Sequence, residues 1–186
     1  MRHATAMNFN PDIHHRRSVR LKGFDYARPG AYFVTICTRD RELLFENPAY
    51  KTIIQDEWDR TAVVRPHLHL DEFICMPNHI HGIIIFIEPV GARRRLALNK
   101  RATHRVAPTK QIQSDSLGAI IGQFKSVTTK RINRLRGTIE LSIWQRSYYE
   151  HIIRNEDELT RVRQYIRDNP LNWDTDDENP NRKANP

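Results

Sequence analysis

The segment His79-Ile80-His81-Gly82-Ile83-Ile84-Ile85-Phe86-Ile87 is the most apolar run of the chain and constrains the fold more than any other. A run this rich in β-branched residues, entered through the turn-forming Pro77-Asn78, reads as a central strand covered on both faces. Side chains alternate along a strand, so His79 and His81 point one way and Ile80 points the other, where it can bury. Two imidazoles side by side at the start of a buried strand can grip a divalent metal ion. The alternative is one histidine satisfied by a hydrogen bond and the other exposed. The surroundings and the downstream sequence have to decide between them.

Upstream, AYFVTICT (31–38) is a strand by composition. Asn47-Pro48 opens a helix whose apolar positions Ile53, Ile54, Trp58 and Ala62 recur at helical spacing to about Val64. Pro66 breaks it, and His67 to Met76 reads as a second strand. Helix signals return from Ser114 to about Leu135, with Leu117, Ile120, Ile121, Phe124, Val127 and Ile132 as the stripe. Residues 143–153 read as extended. Asn155 with Glu158 three residues on resembles a helix N-cap with its reciprocal acid, opening a helix that Pro170 ends. The order strand, helix, strand, strand, helix, strand, helix predicts an α+β, ferredoxin-like (split βαβ) antiparallel sheet with helices on one face and a further C-terminal helix. Such a sheet leaves its second face available for ligands.

Length bounds the rest. At 186 residues the chain suits one domain, expected over 31–173. Residues 1–30 read as a basic arm, 89–114 as a basic loop, and the acidic tail 174–186 as disordered. Thirty Lys and Arg against 22 Asp and Glu give a formal charge of +8, which favours nucleic acid over a membrane surface. No run approaches the ~18 apolar residues that span a bilayer. Met1 to Asn10 lacks the apolar core of a signal peptide, so a cytoplasmic protein is expected. Cys37 and Cys75 are too few and too far apart for a disulfide framework or a metal knuckle, and read as reduced, buried hydrophobes.

In the last helix Val162, Tyr165, Ile166 and Asn169 share a face, because positions three and four apart are neighbours. Val162 and Ile166 belong in a core, so Tyr165 and Asn169 are carried toward the sheet. By the residues alone a tyrosine on such a stripe is either a packed aromatic or a nucleophile.

The combination of CMPNHIHGIII, IWQRSYYEHIIRNEDEL and RQYIRDNP, with the opening GFDYARPGAYFVTICTRDRELLF, resembles the REP-associated tyrosine transposases. These belong to the IS200-type, single-tyrosine HUH transposases, and the resemblance spans roughly residues 20–173. It implies that His79 and His81 supply two metal ligands, that Tyr165 is the nucleophile, and that Asn169 completes the metal site. It also implies a 5′-phosphotyrosine intermediate, Mg²⁺ or Mn²⁺ as the ion, and single-stranded DNA with palindromic hairpins as the partner. The setting would be the bacterial cytoplasm, with activity at the nucleoid. Relatives act as a homodimer or a monomer, and the sequence does not choose between them.

Candidate DNA contacts are Lys125, Lys130 and Arg131 on the long helix; His151, Tyr148 and Tyr149 in the extended segment; and Arg93, Arg94 and Arg95 in the basic loop. Trp144 also has a face on which an unpaired base could stack, against the simpler reading of core packing. His67-Leu68-His69 is a second His-x-His, assigned to the surface because it lies outside the apolar central run. Two other functional classes remain open on residues alone. One is a non-catalytic nucleic-acid-binding regulator; the other is a metal-dependent hydrolase in which the histidines activate water. A replication-type nickase fits less well, because its relatives often pair two tyrosines and the last helix offers only Tyr165.

Overall fold

The computed structural model describes residues 29–87, 115–139 and 141–182. Strands β1 (Gly30–Cys37), β2 (Leu68–Cys75), β3 (His79–Phe86) and β4 (Tyr149–Ile153) form one sheet in the order β2-β3-β1-β4. Every pairing is antiparallel. Helices α1 (Pro48–Val63), α2 (Leu117–Arg136) and α3 (Glu156–Asp168) complete the expected α+β, split βαβ arrangement.

The helix boundaries follow from capping chemistry. Asn47 Oδ1 accepts from the Ala49 N–H just before Pro48, Ser116 Oγ from the Ala119 N–H, and Asn155 Oδ1 from the Glu158 N–H. Glu158 reaches back in turn, its Oε2 taking the Arg154 N–H. Gly137, in the left-handed region at φ 67°, stops α2.

Strand alternation sorts the core into two layers. On one face Tyr32, Val34 and Ile36 of β1 and Ile80, Ile84 and Phe86 of β3 pack under α1 and α2, meeting Ile54, Trp58, Ile120, Ile121 and Phe124. Gly82 lies on this face, and a Cβ there would come within 2.4 Å of the Trp58 ring, so only glycine lets helix and strand approach this closely.

On the other face Phe33 and Ile83 meet Ile153 of β4 and Leu159 and Ile166 of α3. The face expected to stay open is therefore covered by α3. The reason is the stripe of Leu159, Val162 and Ile166, which has to bury somewhere and finds the second side of the sheet.

The expectation of a disordered tail from residue 174 is also corrected for residues 174–182. Past Pro170 a 3₁₀ segment runs over Asn169–Thr175, and a chain of turns follows through the Asn179 and Arg182 amides. Composition suggested disorder, but the acids meet fixed partners. Arg41 pairs with Glu178 and donates to the Asp177 carbonyl, while buried Asn179 donates to the Trp173 carbonyl.

Candidate active site

The site lies where β3 begins, between β1 and the end of α3. The β1–β3 register sets Thr35 opposite His81 and Cys37 opposite His79. Both imidazoles are essentially sealed from solvent, at 0% and 2% exposure. Phe33 floors the site, its ring stacked 5.4 Å from His81 and edge-on to Tyr165 at 5.9 Å.

Hydrogen bonding assigns the proton on His79. The Asn78 amide nitrogen donates to two carbonyls, of Arg41 at 3.3 Å and Glu178 at 2.6 Å, so its Oδ1 must accept. That oxygen lies 2.8 Å from His79 Nδ1, which therefore carries the proton and leaves Nε2 as a lone pair. His79 Nε2 faces His81 Nε2 at 3.0 Å. On its far side His81 Nδ1 sits 2.8 Å from Thr35 Oγ1, a hydroxyl that serves either tautomer. With the His81 proton on Nδ1, two lone pairs point into the same space.

Other donors converge there. Asp176 Oδ2 is 4.0 Å from His79 Nε2 and accepts from Asn169 Nδ2 at 3.2 Å. Asn169 Oδ1 is buried and accepts no hydrogen bond. Ligand atoms of His79, His81 and Asp176 all lie within 4.8 Å of one another, a set able to hold a metal ion. The Tyr165 hydroxyl stands 3.4 Å from His81 Nε2, with the rings 5.2 Å apart.

Burial controls the protonation states. Desolvation pulls His79 down to about 3, outweighing the neighbouring Asn169 side chain, which acts the other way. It holds His81 well below the usual imidazole value, and the neighbouring His79 adds to the effect. Burial also pushes the Tyr165 phenol above its ordinary range, with Asp176, Glu178 and Asp177 contributing in the same direction. Both imidazoles stay neutral, the state a metal ion would require of them, and the tyrosine is kept as a phenol.

The fold thus brings His79, His81, Tyr165 and Asn169 together. Asp176 was missed, because it stood in a segment whose acidic, proline-punctuated composition signalled disorder. The available signal was Trp173, a large aromatic just past the helix; its ring packs 6.0 Å from His79.

The candidate DNA contacts are placed variously. Lys130 is exposed. Arg131 pairs with Asp56 and Glu57 of α1, and His151 with Glu158. Lys125 is largely withdrawn from solvent: its amine donates to the Gln145 and Ser147 carbonyls at 2.7 and 2.9 Å, and burial lowers its pKa to about 8. Tyr148 lies beside that amine, and Tyr149 is half-buried edge-on to Phe33. Trp144 is buried, donating to Thr128 Oγ1 and packed on Phe45 and Phe124, so its face is not free for a base. Arg93, Arg94 and Arg95 fall outside the described residues. Of the second histidine pair, His69 is exposed and His67 half-buried.

No protein-family model matches the sequence. An uncharacterized protein of Haemophilus influenzae is 38% identical over 176 residues, covering 90% of this chain and 95% of that protein. Among solved structures, a REP-associated tyrosine transposase bound to a REP hairpin superposes with a TM-score of 0.55 at 20% identity, over 78% of this chain and 69% of that one. At that identity the likeness speaks for the fold. Among the described residues no helix is long and apolar enough to cross a membrane.

Proposed function

This chain belongs to one family with the Haemophilus influenzae protein, and from that premise and the site geometry we propose that it cuts and rejoins DNA. It is a metal-dependent, single-tyrosine endonuclease and strand transferase acting on single-stranded, hairpin-forming, REP-like DNA. The observation that carries this reading is the Tyr165 hydroxyl, 3.4 Å from a histidine that shares a buried, donor-only site with a second histidine. A tyrosine merely packed in a core does not need its oxygen at the mouth of such a site.

The donor set fits a hard divalent ion with nitrogen tolerance. It offers one assigned imidazole lone pair, a second imidazole, an amide oxygen without a partner and a carboxylate. His79, His81 and Asn169 would hold Mg²⁺ or Mn²⁺, with Asp176 alongside. When bound, the ion polarises a phosphodiester and offsets the charge that develops on it.

The protein's own residues do the rest. Tyr165 Oη attacks phosphorus, a Tyr O–P bond forms and the P–O3′ bond breaks, giving a 5′-phosphotyrosine and a free 3′-hydroxyl. The phenol proton leaves during attack and the departing O3′ takes up a proton, so the step is balanced. The phosphotyrosine conserves the energy of the broken bond, and attack by a 3′-hydroxyl reverses the chemistry to join strands. Phe33 and the α3 stripe fix the tyrosine ring, which limits its search for the attack geometry. The hairpin preference is supported by the sequence resemblance and by a fold shared with a protein solved on a REP hairpin.

A 3′-labelled hairpin oligonucleotide incubated with the protein and Mn²⁺, then run on a denaturing gel, tests the proposal. The expected result is a protein-linked band lost in Tyr165→Phe and in His79→Ala. Cleavage without any linked band would replace the tyrosine mechanism with hydrolysis by activated water.

A further inference from the structure

A cationic groove runs along α2, the helix that packs on the sheet face opposite the site, and has no role in the chemistry above. Lys130 and Arg134, one turn apart on the exposed side of α2, form one wall, and Arg146 on the 142–146 segment forms the floor. The floor continues to Arg39 and Arg41 at the end of β1, across the same Ser142, Trp144, Gln145 and Arg146. Among the described residues the α2 half is lined by no carboxylate, and the far half only by Asp40, which pairs with Arg39 at 3.5 Å. Lys130, Arg134 and Arg146 are exposed and have no ion-pair partner there. Lys125 explains why the floor is fixed: its withdrawn amine straps the carbonyls of 145 and 147 to α2.

We infer that this groove is the track for a single strand of nucleic acid, whose phosphates rest on Lys130, Arg134 and Arg146 and which reaches the site past Arg41. The inference rests on the nuclease reading of His79, His81 and Tyr165, and adds where the strand runs. Charge selects a polyanion, since cations lining one groove with few carboxylates attract an extended anion. Continuity selects the direction. Arg41 closes the groove at one end and holds Asp177 and Glu178, the neighbours of Asp176, beside His79. Ile139, 86% exposed on the groove wall, offers an apolar face to an unpaired base, which a duplex keeps stacked inside.

The test is fluorescence anisotropy of a labelled, unstructured single-stranded oligonucleotide over a salt series. Tyr165→Phe protein is used throughout so that cleavage does not intervene. Arg134→Ala with Arg146→Ala should weaken binding roughly tenfold at low salt, and reduce the log–log salt slope by about 1.4, at ~0.7 for each phosphate no longer neutralised. Thr129→Lys, which adds a cation to the same wall, should tighten binding, a gain that misfolding cannot imitate. Arg60→Glu, exposed on α1, should leave it unchanged.

Binding unaffected by the double variant would overturn the inference, as would a parent protein that binds no single strand at low salt. So would a duplex probe weakened as much as the single strand. If instead the groove variants behave as expected while the linked band of the cleavage assay never forms, the tyrosine chemistry fails and the groove stands.

Discussion

The chain carries the same local pattern twice, His67-Leu68-His69 and His79-Ile80-His81, and the two differ in everything except the pattern. Each has a buried aliphatic residue in the middle, Leu68 at 5% and Ile80 at 0% exposure. The first pair stands at the start of β2, an edge strand; the second opens β3, a central one. His69 faces solvent, and His67 is half-buried, its ring 6.3 Å from Phe86. His79 and His81 lie under α3 and the turns after it, which bring Tyr165, Asn169 and Asp176 to them. A pair of histidines becomes a site only when a second element arrives with complementary donors.

The sharpest way to break this contrast is to remove each pair. Alanine at His79 and His81 should abolish DNA cleavage by at least ~10³-fold. Alanine at His67 and His69 should leave it within about twofold, measured by single-turnover gel assay. Equal losses would mean that the edge pair takes part. The same variants report on metal: with Mn²⁺ at a hundred times its Kd the parent should gain about 2.7 kcal/mol. For a chain of this size that is a rise of roughly 5–10 °C in Tm, absent from the 79/81 variant and kept by the 67/69 variant.

The middle residues should not discriminate. Ile80→Ala and Leu68→Ala should each destabilise the fold by about 2–5 kcal/mol in urea unfolding, because both leave a cavity in the same core layer. A large difference between them would shift the lesson from partners to local packing.

Asn78→Ala should weaken Mn²⁺ binding by about 10–100-fold, by freeing His79 Nδ1 from the acceptor that fixes its tautomer, and should also cost about 1–3 kcal/mol of stability, because the Arg41 and Glu178 carbonyls lose their buried donor. Calorimetry of the metal titration checks this.

A further effect is one of pH. His79 and His81 hold folded pKa values far below that of an unfolded histidine near 6.5. On acidification through ~6.5 the unfolded chain therefore binds protons that the fold refuses, and stability falls toward pH 4. In His79→Gln the decline between pH 6.5 and 4 should be shallower, as read from urea midpoints.

Much of this was legible in the residues. Period-two alternation placed His79 and His81 on one face, and helical spacing carried Tyr165 and Asn169 toward the sheet, while their meeting with the histidines was implied by the family resemblance and not by spacing. The helix starts were legible locally, at Asn47-Pro48 from the proline suited to a first turn and at Asn155 from the acid, Glu158, three residues on. Asp176 was not legible, because its placement depends on Arg41 and Asn78, more than a hundred and close to a hundred residues away, and no local pattern encodes that capture. Lys125 misled for a related reason: a lysine on a basic helix reads as a free charge, and only the return of residues 145–147 shows its amine already engaged. The covering of the second sheet face by α3 was half legible, since the apolar stripe was visible but its destination was not.

Asn78 and Glu178, joined by a hydrogen bond, stand 100 residues apart in the chain. During synthesis the two histidines are therefore made before the tyrosine, the amide and the carboxylate exist, and they stay uncovered until α3 and the turns after it arrive. A reactive centre divided in this way has no partial form. The nascent chain carries the histidine pair without its partners, and the proposed chemistry becomes possible only when the last helix docks. Long-range closure of this kind slows folding, and it ties assembly of the candidate site to completion of the whole domain.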